Sequence, residues 1–265
     1  MIKILEFLNG QMETPHLYGW FHLLALTIVV TGAIIAAVKM RKVTDRQLRL
    51  ILLVFSGTLL TFEVYKQLIF SYQANWDYQW YAFPFQFCST PMYVGLAAGM
   101  MKNTRIREAL LAFLGTYGLF SGAAVMFYPS TVFVGTIGIN IQTMVHHGSM
   151  AVIGVGLLAT QVRLESRTIG KAAPVFLALM VIAMALNQVH NRFIADGTFN
   201  MFFINPLYEN GIPILSLFQP LVPHHAFLLI YLTGFTLCAL IILEIAILIQ
   251  RLAVKNAMVR MTNRA

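Results

Sequence analysis

Seven long apolar runs, with basic residues gathered after every odd one, constrain this chain more than any other feature. The runs cover 16–38, 48–71, 83–101, 107–127, 137–160, 172–194 and 225–250. A helix of about 20 residues crosses a hydrocarbon core of about 30 Å. Lipid offers backbone groups no partners, so each run is expected to be helical. The first connector holds Lys39, Arg41, Lys42, Arg46 and Arg49, and the third holds Lys102, Arg105 and Arg107. The fifth holds Arg163, Arg167 and Lys171, and the C-terminal tail holds Arg251, Lys255, Arg260 and Arg264. Lys3 and Arg192 alone fall on the other side, and Lys66 lies inside a run. Basic residues near membrane spans mark the cytoplasmic side. The expectation is an all-α, polytopic bundle of seven transmembrane helices in the cell membrane. Residues 1–265 form one domain, with the N-terminus outside and the C-terminus in the cytoplasm.

Composition agrees. Only 11% of the residues are charged, against about 25% in soluble domains. The net charge of +8 reads as a topology signal, helped by anionic headgroups. No nucleic-acid partner is expected. The first fifteen residues contain Glu6, Glu13 and Pro15 and lack the basic-then-apolar layout of a cleaved leader, so none is expected. Cys88 and Cys238 lie far apart in apolar runs, and no disulfide is expected between them. The connector 195–224 is long and rich in Pro and Asn, yet also carries Phe202, Phe203, Leu215 and Phe218. A loop that apolar is expected to lie on the membrane or fold back as a lid. Tyr72, Trp76, Tyr78, Trp80 and Tyr81 read as an interfacial belt.

Polar and ionisable residues within membrane spans are costly and mark functional sites by default. The set here is His22, Glu63, Lys66, Gln67, Gln86, Cys88, Gln142, His146, His147, Asn187, Gln188 and His190, with His224 and His225 opening the last run. In the expected topology they share the outer half of the membrane, while the inner halves are nearly bare. One polar cavity open to the outer leaflet accounts for this, formed by runs 1, 2, 3, 5 and 6. At 1.5 Å per residue, His22 and Cys88 lie roughly 7–9 Å deep and His147 roughly 15 Å.

Cys88 is the nucleophile candidate, and a histidine is needed to activate its thiol. A buried free cysteine also serves as a small packing residue, and Cys238 reads as that alone. Adjacent residues on a helix point about 100° apart, so only one of His146 and His147 can face Cys88 squarely. Sequence does not choose between them, nor between base, ligand and satisfied core histidine. Glu63 and Lys66, three residues apart, share a helix face and are expected to pair. The pair either neutralises itself in the bundle or serves catalysis or headgroup binding.

The motifs around these residues resemble a known family. They are Phe21-His22-Leu23-Leu24-Ala25-Leu26, Glu63, Phe83-Pro84-Phe85-Gln86-Phe87-Cys88, His147-Gly148 and Thr198-Phe199-Asn200-Met201-Phe202-Phe203. Together they are similar to the YwaF-like bacterial membrane proteins, whose animal relatives include a cysteine-dependent phospholipid acyltransferase. Gln86 and Ser89 stand where that family usually has a histidine and often an acidic residue. The resemblance implies a six-to-seven-helix fold with Cys88 and a histidine, His147 or His146, as the catalytic pair. A phospholipid or lysolipid would be the substrate. His22, Glu63, Lys66, Gln86, Gln142, Asn187 and Asn200 would support or bind it, with Gln86 or a backbone N–H near Pro84 holding the oxyanion. No cofactor and no metal are expected. Two other readings use the same residues. A solute or proton transporter needs polar groups at both ends of its path, which the bare inner halves do not supply. A zinc hydrolase would recruit His22, His147, His190 or His225, but lacks a His-x-x-x-His pair and an intramembrane Asp.

Overall fold

The computed structural model describes residues 2–102, 104–129 and 131–262; Arg264 of the basic tail lies outside them. The described chain is all-helical apart from one isolated bridge between Gln11 and Thr136. In chain order the helices are α1 (Ile2–Leu8), α2 (Trp20–Lys39), α3 (Asp45–Gln73), α4 (Thr90–Met100), α5 (Arg105–Phe113) and α6 (Leu119–Phe127). They continue with α7 (Ile137–Thr160), α8 (Ile169–Phe193), α9 (Leu215–Phe218) and α10 (His224–Thr262). A five-residue π-helix, Leu114–Gly118, joins α5 to α6 in one continuous rod.

Six of these helical stretches are long and apolar enough to cross a membrane. The run at 83–101, expected as a seventh, is different. Its helix α4 has 11 residues, about 16 Å of rise, and irregular chain leads into it. Pro84 explains this. It disfavours helix at Phe83, whose backbone is extended at φ −49°, ψ 136°, and Gln86 is extended too. The buried Arg107 side chain pairs with Asp45, so α3 and α5 start at the same end of the bundle. Residues 74–102 therefore return along α3, partly as irregular chain.

The helix α7 is the hub, packed against α2, α3 and α6. Small residues allow the approach. A Cβ on Gly122 of α6 would lie 2.6 Å from the His147 carbonyl oxygen, and one on Gly148 would lie 2.4 Å from Val29 Cγ2 of α2. The aromatic core on the other side of α4 stacks Phe87, Tyr117, Phe176, Phe202, Tyr231 and Phe235.

The long connector folds back into the bundle. Phe199, Met201, Phe202, Ile204 and Asn205 are buried. The N-terminal segment straps the same end: Met12 N–H donates to the Gly135 carbonyl, and Ile137 N–H to that of Gly10. Of the expected aromatic belt, Trp76 and Tyr81 are exposed. Trp80 instead packs edge-on against His190 and Phe199.

Candidate functional site

A cavity of about 370 Å³ opens where α3, α7 and the start of α4 meet, within the usual range for small-molecule sites. Glu63, Lys66, Gln86, Cys88, Gln142, His146 and His147 all line it. Thus seven of the ten residues expected in catalytic or supporting roles come together.

Depth is where the expectation fails. Cys88 was placed well above the histidines, yet the His146 ring nitrogen Nε2 is 2.9 Å from the Cys88 carbonyl oxygen. Irregular chain replaces the first turns of the expected helix: a 3₁₀ turn at Trp80–Ala82, extended backbone at Phe83 and Gln86, and a tight turn at Pro84 in which Phe85 N–H donates to Phe83 O; it carries Cys88 down to the level of His146. The cysteine lies in a single 3₁₀ turn, Phe87–Ser89, just ahead of α4. Ser89 N–H donates to Gln86 O, and Thr90 Oγ1 to Phe87 O.

The two histidines make different bonds. A carbonyl only accepts, so His146 donates from Nε2 to Cys88 O, and His147 donates from Nδ1 to Thr143 O at 2.9 Å. In the neutral rings the lone pair is then on Nδ1 of His146 and on Nε2 of His147, and both of these atoms are buried without a partner. Among the described residues neither ring is hydrogen-bonded to the Cys88 thiol. His146 fixes the backbone of Cys88; His147 keeps an unoccupied Nε2 at the cavity wall.

Glu63 and Lys66 do pair, at 2.9 Å, and Glu63 is buried. Gln67 donates to the same Glu63 Oε1 at 2.7 Å and to the Ala82 carbonyl at 2.6 Å. Glu63 Oε2 is buried with no partner.

Gln86 does not present a free amide for an oxyanion. Its Nε2 donates to Asn200 O at 3.0 Å, and its Oε1 accepts from Phe202 N–H at 2.9 Å. Asn187 grips the next residue in the same way, donating to Met201 O and accepting from Met201 N–H. Phe202 and Phe203 adopt positive φ, 59° and 57°, which non-glycine residues rarely do. Two side-chain amides thus hold a strained loop. Asn200 orients the loop's exit, accepting from Asn205 N–H. Asn187 and Asn200 act through this loop and do not line the cavity.

His22 stays apart as well. It is fully buried, accepts from Tyr18 N–H and donates to Met126 O at 2.7 Å. It pins the start of α2 to the end of α6. His190 is stacked on Phe199 with ring centroids 4.3 Å apart. Among the described residues no three His, Cys, Asp or Glu side chains converge as a metal site.

Asn140 was overlooked in the sequence. It is fully buried and clamps Val134 through both its N–H and its carbonyl, holding the segment whose Thr131, Val132 and Val134 roof the cavity. The signal was present: Asn140, Thr143 and His147 recur at helical spacing on one face of α7.

A family model described as the TMEM164 family matches residues 16–252. The chain belongs to the TMEM164 family. The match spans every residue of the cavity and both clamps, and leaves α1 outside. It makes this TMEM164-family chain one of a family of membrane proteins, in keeping with its several apolar helices. Neither the curated proteins nor the solved structures contain a match.

Proposed function

We propose that this TMEM164-family protein transfers or hydrolyses lipid acyl groups through a thioester on Cys88. The observation that carries the reading is the shared cavity: a cysteine whose backbone His146 fixes, beside a His147 whose Nε2 is left unpaired. The Cys88 thiol proton passes to His147 Nε2, and the sulfur attacks the ester carbonyl of a phospholipid. The tetrahedral adduct collapses with cleavage of the acyl C–O bond, and the departing lysolipid oxygen takes the proton from His147. An acceptor hydroxyl or water, deprotonated by His147, then attacks the thioester, and Cys88 leaves as thiolate. With Gln86 engaged by the loop, what favours the negative charge of the oxyanion is the helix dipole at the start of α4, which follows Cys88 directly.

The test is intact-mass spectrometry of protein purified with phospholipid. An acyl adduct, released by hydroxylamine and absent from Cys88→Ala, is expected. Full lipid turnover by folded Cys88→Ala protein would end the proposal.

A further inference from the structure

A second polar cavity, about 420 Å³, lies at the end of the bundle where α3 begins. Asp45 is 18 residues before Glu63 on α3, about 27 Å along the helix, so this cavity is remote from the cysteine. Three helices start around it: α3 at Asp45, α5 at Arg105 and α8 at Ile169. Their positive ends add. Ion pairs tie them together: Arg107 to Asp45, and Lys171 to Glu108 at 2.7 Å. Arg49 also approaches Asp45, and Arg163 and Arg167 share Glu165. Of these, Arg107, Arg163 and Lys171 line the cavity with Asp45 and Glu108, a surplus of one positive charge in its wall.

Arg107 supplies the second observation. Its residue is only 2% exposed. Its Nε donates to Ala98 O and its Nη1 to Asp45, while its buried Nη2 has no partner. Leaving buried donors of a charged group unmatched is costly, and an added acceptor would relieve that. A guanidinium fork suits phosphoryl oxygens, and Arg163, Lys171, Gln161 and Thr168 line the same space.

We propose that this cavity binds a phosphoryl anion, carried by the headgroup of an anionic phospholipid. Basic pockets between transmembrane helices take such headgroups. The site is separate from the acyl-transfer reading and stands without it.

The probes are phosphatidylglycerol, phosphatidylcholine and inorganic phosphate, each added to detergent-purified full-length protein. Native mass spectrometry should show phosphatidylglycerol retained over phosphatidylcholine. Arg163→Gln with Lys171→Gln, both on well-exposed side chains, should weaken that retention about thirtyfold, equivalent to about 2 kcal/mol at 1.4 kcal/mol per tenfold. Arg41→Gln with Lys42→Gln, on the neighbouring connector, should leave it unchanged. Thermal melts check that each variant is folded. If inorganic phosphate raises the melting temperature of wild type but not of the 163/171 variant, and no lipid preference appears, free phosphate is the source of the anion. Equal retention of the two lipids with no effect of phosphate would overturn the site. So would equal losses in the two double variants.

Discussion

His146 donates a hydrogen bond from Nε2 to the backbone carbonyl of Cys88, 2.9 Å away. The neighbouring imidazole has no such tie to the cysteine. On the proposed reading the pair divides positioning from proton transfer, and the two variants should behave differently. His147→Ala should slow thioester formation about 10²–10⁴-fold, the usual worth of a general base, and should also cost about 1 kcal/mol of stability through the lost bond to Thr143 O. His146→Ala should lower stability by about 1 kcal/mol and slow the reaction less. His146→Gln, which keeps a donor, should recover part of both. Single-turnover acylation followed by mass spectrometry, alongside thermal melts, reads both quantities. Equal rate losses in the two variants would remove the division of roles.

Gln86 and Asn187 reach the same loop from opposite elements, one from the entry to α4 and one from α8. Each satisfies a carbonyl and an N–H of residues 200–202. Gln86→Ala or Asn187→Ala should each cost about 1–3 kcal/mol, the penalty for stranding buried backbone groups. The double variant should lose less than the sum of the two, because residues that share a partner segment couple. Once either clamp is lost, the left-handed Phe202 and Phe203 should relax. Limited proteolysis between residues 198 and 214, with melting temperature, measures this. Strict additivity with an unchanged cleavage pattern would show that the loop is held by something else.

What the sequence made legible follows from the physics of each signal. Span positions were clear because lipid forces long apolar runs, and the polar residues of α3 and α7 were clear because lipid makes them conspicuous. The shortness of α4 was not, since hydropathy is blind to whether an apolar stretch is helical; only Pro84 hinted at it. A helix in place of the irregular chain ahead of α4 would set Cys88 at a different depth from His146. Gln86 and Asn187 stand out as amides in apolar runs, but their role in holding the loop is not legible, because their partners are backbone atoms 114 residues away for Gln86 and 14 away for Asn187. His22 reads as a site residue because it is an imidazole in an apolar run, yet both of its ring nitrogens are taken up by the backbone of Tyr18 and Met126, which makes it a staple.

Orientation rests on the distribution of basic residues, and the ion pairs add a geometric constraint. Asp45, Arg107, Glu108 and Lys171 share one end of the bundle, and three basic connectors converge there. By the positive-inside rule that end is expected to face the cytoplasm. A reporter fused after Arg251 should read cytoplasmic. A cysteine replacing Asp77, in the turn after α3, should react from outside with a membrane-impermeant maleimide, in a Cys88→Ser, Cys238→Ser background. A reporter that reads external would reverse the whole arrangement.

The pair Glu63–Lys66 offers the sharpest separation of structure from chemistry. Lys66 Nζ and Gln67 Nε2 both approach Glu63 Oε1, and Oε2 is left buried and bare. Removing the lysine strands a buried carboxylate, so Lys66→Met should cost about 3–5 kcal/mol. Removing both charges with Glu63→Leu and Lys66→Met should restore most of that, since a buried ion pair exchanged for apolar side chains is often neutral or better. The double variant then becomes the informative protein. If the pair serves only the bundle, the double variant should melt near wild type and still form the Cys88 thioester. If Lys66 instead engages the phosphate of the substrate from its place in the cavity wall, the same protein should be stable but slow, with the loss expressed in KM. A Lys66→Met protein as stable as wild type would show that the two charges are not coupled at all.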